Sequence, residues 1–228
     1  MPIILQLDTS TEVCSVSISS NGAIVTLVES SIPNSHAELL TVLIDQSVQK
    51  AGIRLKDLDA IAISDGPGSY TSLRIGASTA KTICYALNKP LITIDSLVIL
   101  ASGVPNDRLS EGDHIIPMID ARRMEVYAAV YDYNRMPIVE KHAVILDEHT
   151  FQPYLGNHKL YLCGNGAEKY YKAFPLPNVE LLHTSTSSAY MLKPALEKFL
   201  KHEYSDAAYF SPDYIKSPNI TKSIKKLF

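Results

Sequence analysis

The sequence predicts an α/β fold in two similar halves, each a mixed sheet flanked by helices. Three observations carry that prediction. Short apolar runs end on an aspartate and lead into hairpin strands at residues 3–28 and again at 115–143. Each half then holds a buried strand, a glycine-containing turn and a helix, at 60–87 and at 160–174. The 228 residues suffice for one large domain or two small ones and can bury roughly 70% of the unfolded surface. Aspartate at a strand end and glycine before a helix are each common, so internal duplication and chance recurrence both stay open on these grounds.

The elements follow in order. Residues 3–7 are a β-rich apolar run closed by Asp8, and 14–19 alternate apolar and polar residues. Asn21-Gly22 is a strong hairpin turn before a strand at 24–28, completing an antiparallel meander. Ser35-His36-Ala37-Glu38 fits a capping box for a helix over 37–51 that Gly52 closes. A buried strand at 60–64, the turn Gly66-Pro67-Gly68-Ser69 and a helix over 73–87 come next, then a strand at 91–94 and a short helix at 96–102. Residues 104–113 are polar and turn-rich, which puts the main boundary there and predicts domains at 1–104 and 105–228. The last helix of the second domain is expected to pack back on the first. The second half reads as strands at 115–119, 126–131 and 138–143, then a strand at 160–163 running through Gly164-Asn165-Gly166 into a helix at 167–174.

Composition narrows the function. Hydrophobic residues make up 46% and charged residues 20%, with mean hydropathy +0.03, which excludes a disordered or low-complexity chain. A net charge of −3 argues against charge-driven nucleic-acid binding. The N-terminus lacks a basic segment, no apolar stretch is long enough to span a bilayer, and the three cysteines are far apart and in no C-x-x-C pair. A cytoplasmic protein without disulfides or structural zinc is expected.

Three segments are chemical candidates. Asp8, Thr9 and Thr11 sit at a hairpin where a carboxylate and hydroxyls could meet a hydrated cation or phosphate, or simply cap a turn. Gly66, Gly68, Ser69 and Thr71, with Arg74, lie between a buried strand and a helix. That arrangement suits either an anion at a helix N-terminus or a tight turn for close packing. The spacing is neither a Walker A loop nor G-x-G-x-x-G. Gly164 and Gly166 form the corresponding loop of the second half, whose hairpin carries Arg122-Arg123 and no glycine.

The third segment is the helix pair. At 100° per residue, Leu39, Leu40, Val42, Leu43, Ile44, Val48 and Ala51 cover an arc of roughly 240°, wider than one sheet requires. Leu73, Gly76, Ala77, Ala80, Cys84 and Leu87 give the second helix a face of small residues. Intramolecular packing explains the second helix better than the first. A subunit or homodimer interface is therefore expected, using His36, Leu39, Leu40, Leu43, Arg74, Ala77, Ala80 and Lys81. A glutamate at Leu43 should disrupt it.

Catalytic patterns are absent: the seven histidines form no H-E-x-x-H and no i, i+4 pair, and no G-x-S-x-G occurs. Lys216, Lys222, Lys225 and Lys226 make a mild basic tail, more often solvated than bound to RNA.

Taken together, Asp8-Thr9-Ser10-Thr11, Ser35-His36-Ala37-Glu38-Leu39-Leu40, Gly66-Pro67-Gly68-Ser69-Tyr70-Thr71-Ser72-Leu73-Arg74-Ile75-Gly76 and Ile119-Asp120-Ala121-Arg122 resemble the TsaB (YeaZ) family over residues 1 to about 130. Further on, Ser211-Pro212-Asp213-Tyr214-Ile215-Lys216 resembles the family's terminal Pro-x-Tyr-Leu-Arg. The resemblance implies the actin-like ATPase fold of the acetate kinase/Hsp70/actin superfamily. It also implies a place in the machinery that adds a threonylcarbamoyl group to N6 of the adenosine next to the anticodon in tRNAs reading ANN codons.

In that setting the chain is the non-catalytic partner of TsaD, which transfers the group with a metal held by a His-x-x-x-His pair. Here Leu40 follows His36 at the second position. The ATPase TsaE joins the complex, tRNA is met only through it, and the isolated chain forms a homodimer. ATP/ADP and metal belong to the partner subunits. Asp65 and Ser72 replace an arginine and a glycine of the family's loop. Nucleotide binding by this chain is accordingly expected to be weak or absent, with Gly164-Asn165-Gly166 as a surviving adenosine-side loop. The competing readings are a stand-alone actin-like nucleotide hydrolase or M22-type glycoprotease, and a direct RNA-binding module.

Overall fold

The structure, a computed structural model, describes residues 2–216, so Lys222, Lys225 and Lys226 of the basic tail lie outside the described residues. The first sheet comprises β1 (Ile4–Asp8), β2 (Cys14–Ser20), β3 (Ala23–Ser30), β4 (Ala60–Ser64) and β5 (Leu91–Ile94), in the order β3-β2-β1-β4-β5. The second comprises β6 (His114–Asp120), β7 (Glu125–Asp132), β8 (Pro137–Ile145), β9 (Leu160–Cys163) and β10 (Val179–Leu182), in the order β10-β9-β6-β7-β8. Read from the opposite edge, the second order is the first one repeated. In both sheets an antiparallel meander is extended by two parallel strands. Two such sheets with helices on their faces form the actin-like ATPase fold.

Local chemistry explains these elements. Asn21 and Gly22 both adopt positive φ, 54° and 73°, as a two-residue hairpin turn requires. Helix α1 (His36–Ala51) ends at left-handed Gly52, whose N–H reaches the carbonyls of Val48 and Gln49. The capping box expected at its start does not form. The Ser35 hydroxyl instead donates to the Ile32 carbonyl at 2.6 Å, leaving the first turn without a side-chain cap. Helix α2 (Tyr70–Leu87) begins three residues before the expected Leu73, with Ser69 at its N-cap position.

The sheets share their helices. α1 and α2 cover one face of the first sheet, where Leu40, Leu43, Ala80 and Cys84 pack with Leu5, Val16, Ile61 and Ile63. Helix α3 (Ser96–Ser102) follows the first sheet in sequence, yet its Leu97, Leu100 and Ala101 pack with Ile115, Ile119 and Tyr161 of the second. In return, α5 (Leu192–Leu200) brings Ala195 to the far face of the first sheet, beside Ile4, Ala62, Ile92 and Ile99. Helix α4 (Ala167–Ala173) covers the second sheet's other face. A cut at 104/105 thus separates the two sheets but divides neither core cleanly.

Candidate functional site

The two hairpins and the two glycine loops converge on a cleft of about 690 Å³ between the halves. Its first wall begins at the end of β1. Asp8 is completely buried, and one carboxylate oxygen accepts from the Ser10 N–H at 2.9 Å and the Ser10 hydroxyl at 2.7 Å. Burial pushes its pKa up, against the opposing bonds from Ser10. Asp8 therefore holds the hairpin and does not line the cleft. Thr9 is also buried, with its hydroxyl against α2, where a Cβ on Gly76 would lie 2.3 Å from it. Thr11 shares a 2.6 Å hydrogen bond with Thr186 of the second half.

The loop before α2 packs against this hairpin. A Cβ on Gly68 would lie 2.2 Å from the Ser10 carbonyl oxygen, and the Ser69 N–H donates to that same oxygen at 2.8 Å. Gly66 has φ +111°, and a Cβ there would lie 2.5 Å from the Asp213 carbonyl oxygen. These contacts supply the packing reason for the glycines. Ser69 and Thr71 remain exposed at the cleft edge, with Ser69 accepting from Ser72 at 3.0 Å.

The second wall mirrors the first. Asp120 accepts from the Arg122 N–H at 2.8 Å, pairs with Lys169, and donates its own N–H to Asn165 at 3.0 Å. Asn165 in turn donates to Glu12 across the cleft at 2.7 Å. A Cβ on Gly164 would lie 2.3 Å from the Met118 carbonyl oxygen, while Gly166 donates its N–H to the same carbonyl at 3.0 Å. Arg122 and Arg123 take the turn with φ of 70° and 51°.

Among the described residues, the charged side chains lining the cleft are Glu12, Asp120, Glu125 and Asp213 against Arg122 and Lys216. Four acids and two bases do not favour a polyanion. Asp65, where the resembling family carries arginine, is pushed by burial up to about 6, with Lys141 partly opposing the shift. Cys14, Cys84 and Cys163 are buried, which raises their thiols to about 11, 11 and 12 and leaves them un-ionised at neutral pH. Among the described residues no three His, Cys, Asp or Glu side chains are grouped to hold a metal. No helix there is long and apolar enough to cross a membrane.

The expected interface residues fall in three places. Leu40, Leu43, Ala77 and Ala80 are core residues, at most 6% exposed, and Leu39 packs partly beside them. His36 is buried at the cleft, with no hydrogen-bond partner for Nε2 among the described residues. Arg74 and Lys81 are engaged by residues 208–214: Lys81 donates to the Ala208 and Phe210 carbonyls, and Arg74 to the Tyr214 hydroxyl. Most of the wide apolar arc of α1 is thus satisfied within the chain. A glutamate at Leu43 would break the core, not report on an interface. Beside them, exposed Thr41, Ser78 and Thr82 form a rim over the half-buried Ile83 and the buried Ile44 and Val48. Thr41, Ile44, Val48, Ser78, Thr82 and Ile83 line an open groove of about 420 Å³ between α1 and α2. Their signal in the sequence is weak, because small hydroxyl residues on α2 look like ordinary solvent-facing positions.

Comparisons with known proteins agree with this geometry. A family model described as "TsaD: tRNA N6-adenosine threonylcarbamoyltransferase" matches residues 29–225. The tRNA threonylcarbamoyladenosine biosynthesis protein TsaB of Haemophilus influenzae is 29% identical over 94% of this chain and 93% of its own. A tRNA N6-adenosine threonylcarbamoyltransferase of Clostridium kluyveri is 42% identical over 27% of this chain and 18% of its own. The solved structure of YeaZ from Pseudomonas aeruginosa superposes with a TM-score of 0.81 at 27% identity, covering 94% of this chain and all of that one.

Proposed function

The chain belongs to the TsaD family, on its TsaB (YeaZ) branch, and from that premise we propose that it is a non-catalytic subunit acting with TsaD in tRNA threonylcarbamoyladenosine biosynthesis. In this reading TsaD transfers the threonylcarbamoyl group to N6 of the adenosine next to the anticodon. The present chain docks on it through the α1/α2 groove, TsaE joins the assembly, and tRNA is reached only through the complex. The same groove pairs two copies when TsaD is absent.

The observation that carries the reading is position 40. His36 reaches the cleft, but the residue one turn later is Leu40, 1% exposed in the core between α1 and the first sheet. A helix-borne imidazole pair cannot form at 36 and 40. The cleft supports the same conclusion for nucleotide: Thr11, Asp120 and Asn165 are spent on bonds within and between the halves, and among the described residues acidic side chains outnumber basic ones along the walls. Stable nucleotide binding by this chain alone is not expected.

The test is a charge placed on the groove rim. Thr82→Arg sits on an exposed position and spares the core. Association with TsaD, measured by titration calorimetry, should weaken at least about ten-fold, a cost of about 1.4 kcal/mol. Unchanged affinity would remove the groove from the interface.

A further inference from the structure

Residues 205–216 run back from α5 across both halves. Ser205 bridges Leu91 at the edge of the first sheet, and Lys81 holds the Ala208 and Phe210 carbonyls at 3.0 and 2.9 Å. Phe210 packs against the core of the first half, which fixes this point. Beyond it the contacts change character. Tyr214 lies on Tyr70, with ring centroids 4.5 Å apart, and accepts from Arg74 at 3.3 Å. Two residues later Lys216 pairs with Glu125 of the second half. Asp213, Tyr214, Ile215 and Lys216 all line the cleft, so the segment ties one lip to the other.

Charge pins its middle. Lys141 of β8 lies 2.7 Å from Asp95, at the N-cap of α3, and 2.8 Å from Asp213. The Asp213 N–H donates to the Asp65 carbonyl at 2.7 Å, and the Asp65 carboxyl stands behind it with one buried oxygen lacking a partner among the described residues. Lys198 also acts on Asp65, but its ammonium donates to the Thr93 carbonyl at 2.7 Å. Three carboxyl groups therefore gather around the Lys141 ammonium.

We infer that Lys141 is the pin of a releasable strap: its charge holds residues 211–216 over the cleft, and loss of that charge frees them about the Phe210 anchor. Without the ammonium, the partly buried Asp65 and Asp95 and the half-exposed Asp213 lose the cation that Lys141 places beside them, and their like charges repel. The ties left at the far end, Arg74 to Tyr214 and Lys216 to Glu125, each rest on one exposed cationic side chain and are individually weak. This device concerns access to the cleft and is independent of which partner the α1/α2 groove takes.

Hydrogen exchange on the full chain tests it, comparing wild type with Lys141→Met, Asp213→Ala and the double variant. Exchange over 211–216 should be at least about ten-fold faster in each single variant, with helix α2 still protected, and the double variant no faster than either single one. Wild-type protection in Asp213→Ala, which leaves the Lys141–Asp95 pair intact, would overturn the inference even if Lys141→Met failed to fold. Additive acceleration in the double variant would overturn it as well, because a pin acts only through the pair.

Discussion

Asp8 and Asp120 close corresponding strands of the two halves with the same bond, a carboxylate oxygen accepting the backbone N–H two residues on, at 2.9 and 2.8 Å. The environments differ. Asp8 is sealed within the first half, whereas Asp120 is exposed, pairs with Lys169 and borders the cleft. Repetition of the bond within the repeated strand order identifies the second half as a structural copy of the first.

Asp8→Asn should change stability by less than about 1 kcal/mol, because the amide oxygen still accepts both Ser10 bonds and burial already disfavours the carboxylate charge. Asp8→Ala strands both buried donors and should cost about 2–4 kcal/mol. Urea denaturation of the two variants distinguishes a hairpin clamp from a group kept for its charge.

Gly68→Ala drives a methyl into the Ser10 carbonyl, a backbone atom with nowhere to move, and should cost about 3 kcal/mol or more. Gly156→Ala, with nothing within 4 Å of the added carbon, should be neutral to within about 0.5 kcal/mol. Thermal melts of the pair measure how tightly the glycine loop seats on the first hairpin.

Much of the fold was legible because its signals are local. Alternation in β2, the Asn21-Gly22 turn and Gly52 after α1 all report backbone preferences. The strand β10 was not, since four residues including Glu180 carry too little pattern, and it is formed by pairing with β9. The site was less legible than the fold. Periodicity identifies the apolar side of α1 but not what covers it, so Leu43 reads equally as interface or core until the first sheet is in place. Nor does any local pattern bring Lys141, Asp95 and Asp213 together across 118 positions of chain, the difference between 213 and 95.

Asp65 makes stability depend on pH in a definite direction. Its pKa rises from 3.8 to about 6 on folding, so between those values the folded protein holds the extra proton. Stability is therefore highest below about pH 4 as far as this group is concerned, and is lost as pH rises through about 6, by about 3 kcal/mol. Asp65→Asn should remove that slope and leave the variant more stable than wild type at pH 7, as read from denaturant midpoints across pH 4–8.

The most direct test of the account is native mass spectrometry of this chain mixed with TsaD from the same organism, run in parallel with Thr82→Arg. The account predicts a one-to-one heterodimer with the wild-type chain and its loss with the variant, whose circular dichroism is unchanged. A wild-type chain that ignores TsaD, or a variant that binds it equally well, would contradict the proposal that this subunit works by docking its α1/α2 groove on the transferase.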